Sequence, residues 1–381
     1  MCRPAFIRTA VKISLSLSLA FALSTFSPAQ QYQQTNLVSD IQGLAPTPDS
    51  HLLNPWGLIS SPTSPWWVAD NNGGVSTLYN GNTGAIVPLV VNIPPIVNDP
   101  GTGNPVGQGT PTGVVFTGSS GFQFDNNGTK SAAIFVFVTE DGTISAWPGT
   151  GDAVQLADNS TNPSAARGAV YKGATIAKNG NAFFLYVTNF RAGRVEVYDT
   201  QFKLVTPNGD AFRDHKIPRG FAPFNVQEVN GDLYVTYARQ NDSKHDDFDF
   251  PGLGFVDKFS PAGELLQRLE QGPWLNAPWG VALAPANFGF FSNHLLVGNA
   301  GSGQIAVYDA ESGHFDGMLR DQNGHAIQDQ RLWALRFGNG AGAGPTNTLF
   351  FTAGITDEAD GLFGTITTVG SAAPEDNGEH K

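Results

Sequence analysis

The sequence predicts an all-β protein built as a six-bladed β-propeller. Glycine (45 residues) and proline (25 residues) are abundant, and short apolar runs alternate with Gly, Asn and Asp clusters. This pattern is typical of short strands joined by tight turns. Pro-Trp-Gly occurs twice, within NPWGLIS (54–60) and NAPWGVALAP (276–285). Related units recur along the chain, and a radial array of blades accounts for such a repeat.

Each unit contains a short apolar run, a second run rich in β-branched or aromatic residues, a polar turn and a third run. The first runs are WGLIS (56–60), TGVVF (112–116), KGATIA (172–177), FNVQEV (224–229), WGVALA (279–284) and WALRF (333–337). They begin about 50 to 60 residues apart, which is the spacing of three or four strands per blade. A β-sandwich with accidental internal similarity is the alternative.

The last unit has only three strands, so the ring needs a strand from elsewhere. TNLVSD (35–40) has strand character but no blade of its own, and we expect it to complete the last blade and hide an edge. Residues 30–369 are predicted to form one domain and 370–381 a disordered tail. The insertions 92–110 and 241–252 are expected to be surface loops.

Residues 1–29 are predicted to be a secretory signal peptide. Arg3, Arg8 and Lys12 precede the apolar stretch 13–23, and Ser27 and Ala29 occupy the small-residue positions of a cleavage site. A disordered leader is the alternative. We therefore expect an exported, periplasmic or extracellular protein with no integral membrane segment once the signal is removed.

The charge of the mature chain restricts its partners. Without residues 1–29 it has 18 Lys and Arg against 33 Asp and Glu, a formal charge of −15. A nucleic-acid partner is disfavoured because phosphate binding requires a basic face, whereas a cationic or neutral ligand is easier to accommodate. Cys2 is the only cysteine, so the mature chain has no disulfide and no thiol chemistry.

Two stretches, 54–81 and 276–309, resemble NHL-type propeller repeats, whose blades begin Asn-Pro-x-Gly and continue with a strand ending in Ala-Asp or Gly-Asn. More closely, the chain resembles an uncharacterised bacterial family of exported proteins, some of which carry a PEP-CTERM sorting tail. The matching segments are LVSDIQGLA (37–45), NPWGL (54–58), GFVDKFSPAGELL (254–266) and TLFFTAGITDEADGLFG (348–364). The resemblance implies a six-bladed propeller and export, but no established activity. The chain lacks the PEP-CTERM tail, so anchoring by that route is not expected.

One face of the propeller is the predicted site, because loops leading into the inner strands and loops between second and third strands meet there. Aromatic rings with a few convergent polar groups are the usual composition of a ligand pocket. The candidate ligand-binding residues at the channel mouth are Trp56, Asp70, Asn71, Glu140, Asn189, Arg191, Phe224, Asn225, Arg239, Trp279, Asn299 and Trp333. The alternatives are core packing for the tryptophans, turn chemistry for the Asn and Asp residues, and ion pairing for the arginines.

The acidic segment NDSKHDDFDF (241–250) is a separate candidate. Asp242, Asp246, Asp247 and Asp249 offer oxygen ligands for Ca²⁺, although the segment lacks the pattern of an EF-hand. The alternative is a solvated acidic loop, and no other cofactor is expected.

A metal ion on the propeller axis is disfavoured because, within the inner runs, only Asn225 and Glu228 offer ligands and both lie in one unit.

These observations favour an exported, non-catalytic binding module whose partner is an unidentified small molecule, glycan or protein. The runner-up is a hydrolase or lyase of the lactonase-like propeller class, and no catalytic residue is assigned. An envelope or matrix structural role is the third reading. An enzyme would show charged groups converging on the channel, whereas a binding module would show an aromatic rim.

Overall fold

The computed structural model describes Met1 and residues 32–96, 107–118, 121–207 and 209–369. Six main sheets of four or five strands are arranged as the six blades of a β-propeller, so the predicted fold class is confirmed. The only helical elements among the described residues are two short 3₁₀ turns, Ala165–Arg167 and Gly289–Phe291. No helix in these ranges is long and apolar enough to cross a membrane.

The first half of the chain forms blades 1 and 2. Two strands, β1 (Tyr32–Ser39) and β2 (Thr47–Pro48), precede blade 1. Blade 1 consists of β3 (Pro55–Ile59), β4 (Trp66–Asp70), β5 (Val75–Tyr79) and β6 (Val91–Asn92). Blade 2 begins with β7 (Pro111–Phe116), continues through a separate hairpin of β8 (Gln123–Asn126) and β9 (Thr129–Ala132), and ends with β10 (Phe135–Thr139), β11 (Thr143–Trp147) and β12 (Val154–Asp158).

The second half forms the other four blades. Blade 3 consists of β13 (Tyr171–Asn179), β14 (Ala182–Asn189), β15 (Arg194–Tyr198) and β16 (Leu204–Val205). Blade 4 consists of β17 (Phe221–Val229), β18 (Asp232–Arg239), β19 (Gly254–Phe259) and β20 (Leu265–Arg268). Blade 5 consists of β21 (Pro278–Leu283), β22 (Leu295–Asn299), β23 (Ile305–Tyr308) and β24 (Phe315–Met318). Blade 6 contains β25 (Leu332–Phe337), β26 (Leu349–Ala353) and β27 (Leu362–Thr368).

The repeated Pro-Trp-Gly opens two inner strands, β3 and β21. Glycine is required there because the inner strands of neighbouring blades approach closely. A Cβ atom on Gly57 would lie 2.6 Å from the Thr112 carbonyl oxygen, and one on Gly280 would lie 2.4 Å from the Trp333 carbonyl oxygen. Both carbonyls belong to the inner-strand region of the next blade, so the motif sets how tightly consecutive blades pack.

The N-terminal strand closes the ring, as predicted. β1 pairs antiparallel with β27, from Tyr32 opposite Thr368 to Ser39 opposite Leu362. Tyr32 is 1% exposed, and its hydroxyl donates to the Phe288 carbonyl (2.9 Å) and accepts from the Phe291 amide (3.0 Å). The start of the described chain is therefore fixed both to blade 6 and to a connection in blade 5.

Several predictions lie partly or wholly outside the described residues. These are the signal peptide beyond Met1, the tail 370–381 and the middle of the insertion 92–110.

The hairpin of β8 and β9 was not predicted, although Asp125-Asn126-Asn127-Gly128 is a turn sequence. The insertion 241–252 is described in full, and it lies over the channel mouth.

Tyr32→Ala is expected to lower the free energy of unfolding by about 3–5 kcal/mol, because a buried aromatic side chain is lost from the closing strand. Tyr32→Phe keeps the ring but removes the two hydrogen bonds, and should cost about 1–2 kcal/mol. The measurement is urea unfolding of the purified chain. Gln33→Ala, an exposed change in the same strand, is the control, and an equal effect of Gln33→Ala and Tyr32→Ala would contradict this account.

Candidate functional site

Four aromatic side chains fill the centre of the propeller behind the channel mouth. Trp56, Phe224, Trp279 and Trp333 come from the inner strands of blades 1, 4, 5 and 6. The Trp56 and Trp333 rings stack with centroids 3.6 Å apart, and Trp279 meets both rings edge-on at 6.1 and 6.0 Å. Each of the four residues is at most 5% exposed. We call this group the aromatic plug; its rings pack against one another and do not form an exposed rim.

A buried ammonium group lies against the plug. Lys172, at the start of β13, is 1% exposed, and its Nζ atom lies 5.0 Å from the centre of the Trp56 ring. Nζ forms ion pairs with Glu140, from the turn between β10 and β11, and with Asp246 at 3.3 Å. Burial lowers the pKa of Lys172, but Glu140 and Asp246 more than offset it, so the pKa lies above its ordinary value. Lys172 is therefore a permanent internal cation.

The β18–β19 loop (residues 240–253) extends across the mouth from blade 4. Asp246 reaches Lys172 on blade 3, while Asp247 and Asp249 each lie 3.0 Å from Nη1 of Arg331, which leads into β25 of blade 6. Nε of Arg331 lies 3.0 Å from Glu358 in the β26–β27 loop. The segment expected to be a surface loop is therefore bound by charged groups to blades 3 and 6.

Amide side chains connect these carboxylates to the plug. Asn54 donates to Glu358 (2.9 Å) and accepts from the Trp333 indole N–H (3.1 Å). Asn71 donates to Glu140 (2.9 Å). The result is a half-enclosed acidic cup, defined by Glu140, Asp246, Asp247, Asp249 and Glu358 around Lys172 and Arg331, with the aromatic plug as its floor.

Two neighbouring carboxyls of the cup differ strongly in acidity. Burial, and then a shared hydrogen bond and like charge with Asp247, raise the pKa of Asp249 to about 8. Burial also opposes ionisation of Asp247, but the hydrogen bond from Asp249 and the charge of Arg331 hold its pKa below the ordinary value. Near neutral pH the two carboxyls therefore share one proton.

The residues proposed from the sequence occupy three kinds of position. Glu140 and Asn71 belong to the acidic cup, and Trp56, Phe224, Trp279 and Trp333 form the plug. Asp70, Asn189 and Asn299 end second strands and are buried, and each makes local hydrogen bonds: with Thr77, with Glu196 and with the Asn276 amide. Each of these contacts is made within the residue's own blade.

Three candidates are not part of the cup. One of them, Asn225, is buried in the channel, where its side-chain amide donates to the Trp279 carbonyl (2.8 Å).

The other two candidates are arginines. Arg191 is partly buried and donates to the Gly168 carbonyl (3.2 Å), and Arg239 is exposed. Burial lowers the pKa of Arg191, and the charge of the cup carboxylate Asp246 opposes that lowering. The attraction between Arg191 and Asp246 is of the kind that the ion-pairing alternative describes.

The four aspartates proposed for Ca²⁺ do not share one environment. Asp242 is exposed, whereas Asp246, Asp247 and Asp249 are engaged by Lys172 and Arg331. A different group has the spacing of a metal site. Ligand atoms of Glu140, His245 and Asp246 all lie within 4.8 Å of one another. The Lys172 ammonium already contacts two of these three residues, so a metal ion there would have to compete with it.

Sequence reasoning missed four residues that organise the cup, namely Lys172, Arg331, Glu358 and His245. One signal was present for two of them. Lys172 and Arg331 each stand at or just before an inner strand, and cations are scarce in this chain. A search for charged residues at these positions would have found both.

No protein-family model matches the chain. Its sequence relatives include two uncharacterised proteins of Acanthamoeba polyphaga mimivirus. Protein R640 is 32% identical over 249 residues, which are 63% of this chain and 44% of that protein. Protein L690 is 25% identical over 339 residues, 87% of this chain and 84% of that protein. The chain thus spans less than half the length of R640.

Solved structures of similar shape include a glucose dehydrogenase and a streptogramin B lyase. The dehydrogenase has a TM-score of 0.51 and 12% identity, with 89% of this chain and all of that chain (100%) covered. The lyase has a TM-score of 0.48 and 12% identity, with 90% and 98% covered. At this identity the likeness concerns the fold alone. The relatives by sequence are viral, so the bacterial exported family remains a resemblance.

Lys172→Met is expected to lower the free energy of unfolding by about 3–5 kcal/mol, because it leaves two carboxylates facing an apolar group. Lys244→Met removes an exposed lysine of the β18–β19 loop and should change it by less than about 0.5 kcal/mol. Denaturant unfolding measures both. Adding Glu140→Gln to Lys172→Met should recover about 1 kcal/mol or more. Equal effects of the two lysine variants would refute the buried ion pair.

Proposed function

We propose that this chain is an exported binding propeller whose acidic cup accepts a small cation. The observation that carries the proposal is the imbalance of charge in the cup. Five carboxyl groups surround the permanently charged Lys172 and Arg331. Ionisation of all five would leave three negative charges in excess at the end of a channel that is closed by the aromatic plug.

The state of Asp249 supports the same conclusion. Burial, and then the neighbouring carboxylate of Asp247, raise the pKa of Asp249 to about 8, so this carboxyl holds a proton that a bound cation can replace. A cation bound beside Asp247, Asp249 and Glu358 would displace that proton. Metal ions and organic ammonium groups share this chemistry, and separate titrations distinguish them.

Access to the cup also fits a small ligand. The side chains of Asp246, Asp249 and Glu358 are 56%, 30% and 30% exposed, so solvent reaches the carboxylates although the plug beneath them is dry. The β18–β19 loop supplies three of the five carboxyls. It is held by ion pairs and a few hydrogen bonds, so a bound cation would share ligands with Lys172 and Arg331 without unfolding a blade.

Isothermal titration of the mature chain with CaCl₂, MnCl₂ and putrescine tests the proposal. At least one cation should bind, with release of up to one proton per site. Affinity should rise about tenfold between pH 7 and pH 9, because a group whose pKa is near 8 competes for the site only when protonated. Buffers of different ionisation enthalpy measure the released proton.

Variants localise that binding. Asp249→Asn should remove most of the pH dependence and weaken binding at pH 9, and Glu358→Gln should weaken binding at both pH values. Asp242→Asn, the same kind of change at an exposed position of the same loop, is the matched control. The proposal fails if none of the three cations binds, or if Asp242→Asn weakens binding as much as Asp249→Asn.

The second candidate function is a hydrolase or lyase. Charged groups converge on the channel mouth, which is the outcome expected of an enzyme, and the aromatic residues form no exposed rim, which was the outcome expected of a binding module. This alternative is also favoured by the proximity of a carboxylate, an imidazole and an ammonium group, since ligand atoms of Glu140, His245 and Asp246 lie within 4.8 Å of one another beside Lys172. Such a set is capable of general acid–base chemistry. Turnover of a chromogenic ester or lactone that is abolished by His245→Ala but unchanged in Asp242→Asn favours this alternative over a binding module without catalysis.

Export is part of the proposal and has its own test. The mature protein recovered from the periplasm or medium of an expressing bacterium should begin at Gln30, because Ser27 and Ala29 meet the small-residue requirement of signal peptidase. Mass spectrometry of the intact protein measures this start. Ala29→Arg should leave the precursor uncleaved. Recovery of wild-type protein only in the cytosol, with residues 1–29 intact, would contradict export.

A further inference from the structure

A second pocket lies away from the channel, in the groove between blades 3 and 4. Its lining comes from the connection between β16 and β17, from the β14–β15 turn at Gly193, and from Tyr237 of β18. The polar groups that line it are Arg213, Asp214, His215, Arg219 and Tyr237. Phe221, Ile217 and Pro218 provide apolar wall. None of these residues belongs to the acidic cup.

Two arginine side chains in this pocket are available to bind a ligand. Arg213 and Arg219 are exposed, and neither side chain has an ion pair or hydrogen bond with the residues that the structure describes. Arg268 and Arg331, by contrast, each pair with two or more carboxylates. An arginine fork without a partner beside an apolar wall is suited to a carboxylate, sulfate or phosphate group.

Three acidic groups lie near the pocket, and the one that is exposed, Asp210, is outnumbered by Arg213 and Arg219. Asp214 forms an ion pair with Arg268 and accepts the Lys216 amide (2.8 Å), so it holds the connection in place. Asp257 lies behind it, 0% exposed, and burial followed by the charge of Asp214 raises its pKa to about 7. The exposed His215 lies 3.6 Å from Asp210. The surplus charge at the opening is therefore positive.

The distribution of charge along the chain points to the same location. Of the 18 lysines and arginines after residue 29, 13 lie between residues 167 and 268, whereas residues 30–129 contain none. Residues 167–268 form the end of the blade 2–3 connection and blades 3 and 4. In a mature chain of formal charge −15, this is the part of the ring where an anion meets the least repulsion.

The pocket also offers groups for a ligand with hydroxyls. The Tyr237 hydroxyl is buried and has no hydrogen-bond partner among the described residues. Its pKa lies well above 10, chiefly because of burial, so it remains a donor. The flat faces of Phe221 and Pro218 suit the apolar face of a sugar ring. A ligand with a carboxylate for the arginines, a hydroxyl for Tyr237 and a ring for the apolar wall is a saccharide that contains a uronic acid.

We propose that the pocket between blades 3 and 4 binds an acidic saccharide, with Arg213 and Arg219 holding its carboxylate and the wall at Phe221 contacting its ring. This site is independent of the acidic cup and takes a ligand of opposite charge.

The test is titration of the mature chain with a galacturonate trisaccharide and with the neutral galactose trisaccharide of the same linkage. The acidic sugar should bind at least about tenfold more tightly, the equivalent of one well-formed charged contact. Arg213→Gln and Arg219→Gln should each weaken its binding about fivefold to tenfold. Lys216→Gln, an exposed change in the same connection outside the pocket lining, should stay within about twofold.

Inorganic sulfate distinguishes a saccharide site from a simple anion site. If the saccharide is the ligand, Tyr237→Phe should weaken binding of the acidic sugar while leaving any binding of sulfate unchanged. Absence of binding by the acidic sugar, equal binding of the neutral sugar, or equal effects of Lys216→Gln and the arginine variants would overturn the proposal. Sulfate binding that matches the acidic sugar in affinity would overturn the saccharide assignment.

Discussion

A single buried ammonium group determines how the open face of this propeller is built. Removing a lysine Nζ from water costs several kcal/mol, so the Lys172 position is stable only with close compensation. Glu140 of blade 2, Asp246 of blade 4 and the face of Trp56 in blade 1 supply it. Because the compensating groups come from three blades besides its own, satisfying the charge fixes these blades and the β18–β19 loop relative to one another.

The aromatic plug makes this arrangement effective. Trp56, Trp279, Trp333 and Phe224 exclude water from the axis, and Trp279 donates its indole N–H to the Lys172 carbonyl (3.1 Å). Charges that lie against a buried apolar surface interact more strongly than the same charges in water. Burial above the plug, and then the neighbouring carboxylate of Asp247, consequently raise the pKa of Asp249 to about 8.

The two proposed sites lie in regions of opposite charge. Acidic groups gather at the axis, and uncommitted arginines gather between blades 3 and 4. A chain with no lysine or arginine in residues 30–129 produces such segregation from its sequence alone. Ligands of opposite sign would then approach different parts of one surface, which is a property that an evenly charged propeller would lack.

The fold was predictable because it depends on periodic local features: the recurrence of first runs, the glycines where inner strands approach, and the strand character of residues 35–40. The cup was only partly predictable. Glu140, Asn71 and the tryptophans were found because they stand at loop and inner-strand positions of the repeat. Lys172 was missed because its partners lie 32 and 74 positions away, and periodicity does not show where the irregular loop from residue 240 to residue 253 turns.

Hydrogen exchange of the β18–β19 loop tests most directly whether a buried ammonium holds this loop across the mouth. Mass spectrometry would compare peptides covering residues 240–253 in the native chain, in Asp246→Asn and in the control Asp242→Asn. Loss of the Asp246 contact should speed local exchange by about tenfold or more while leaving the blades unchanged, and Asp242→Asn should match the native chain. Equal exchange in all three proteins would contradict the account.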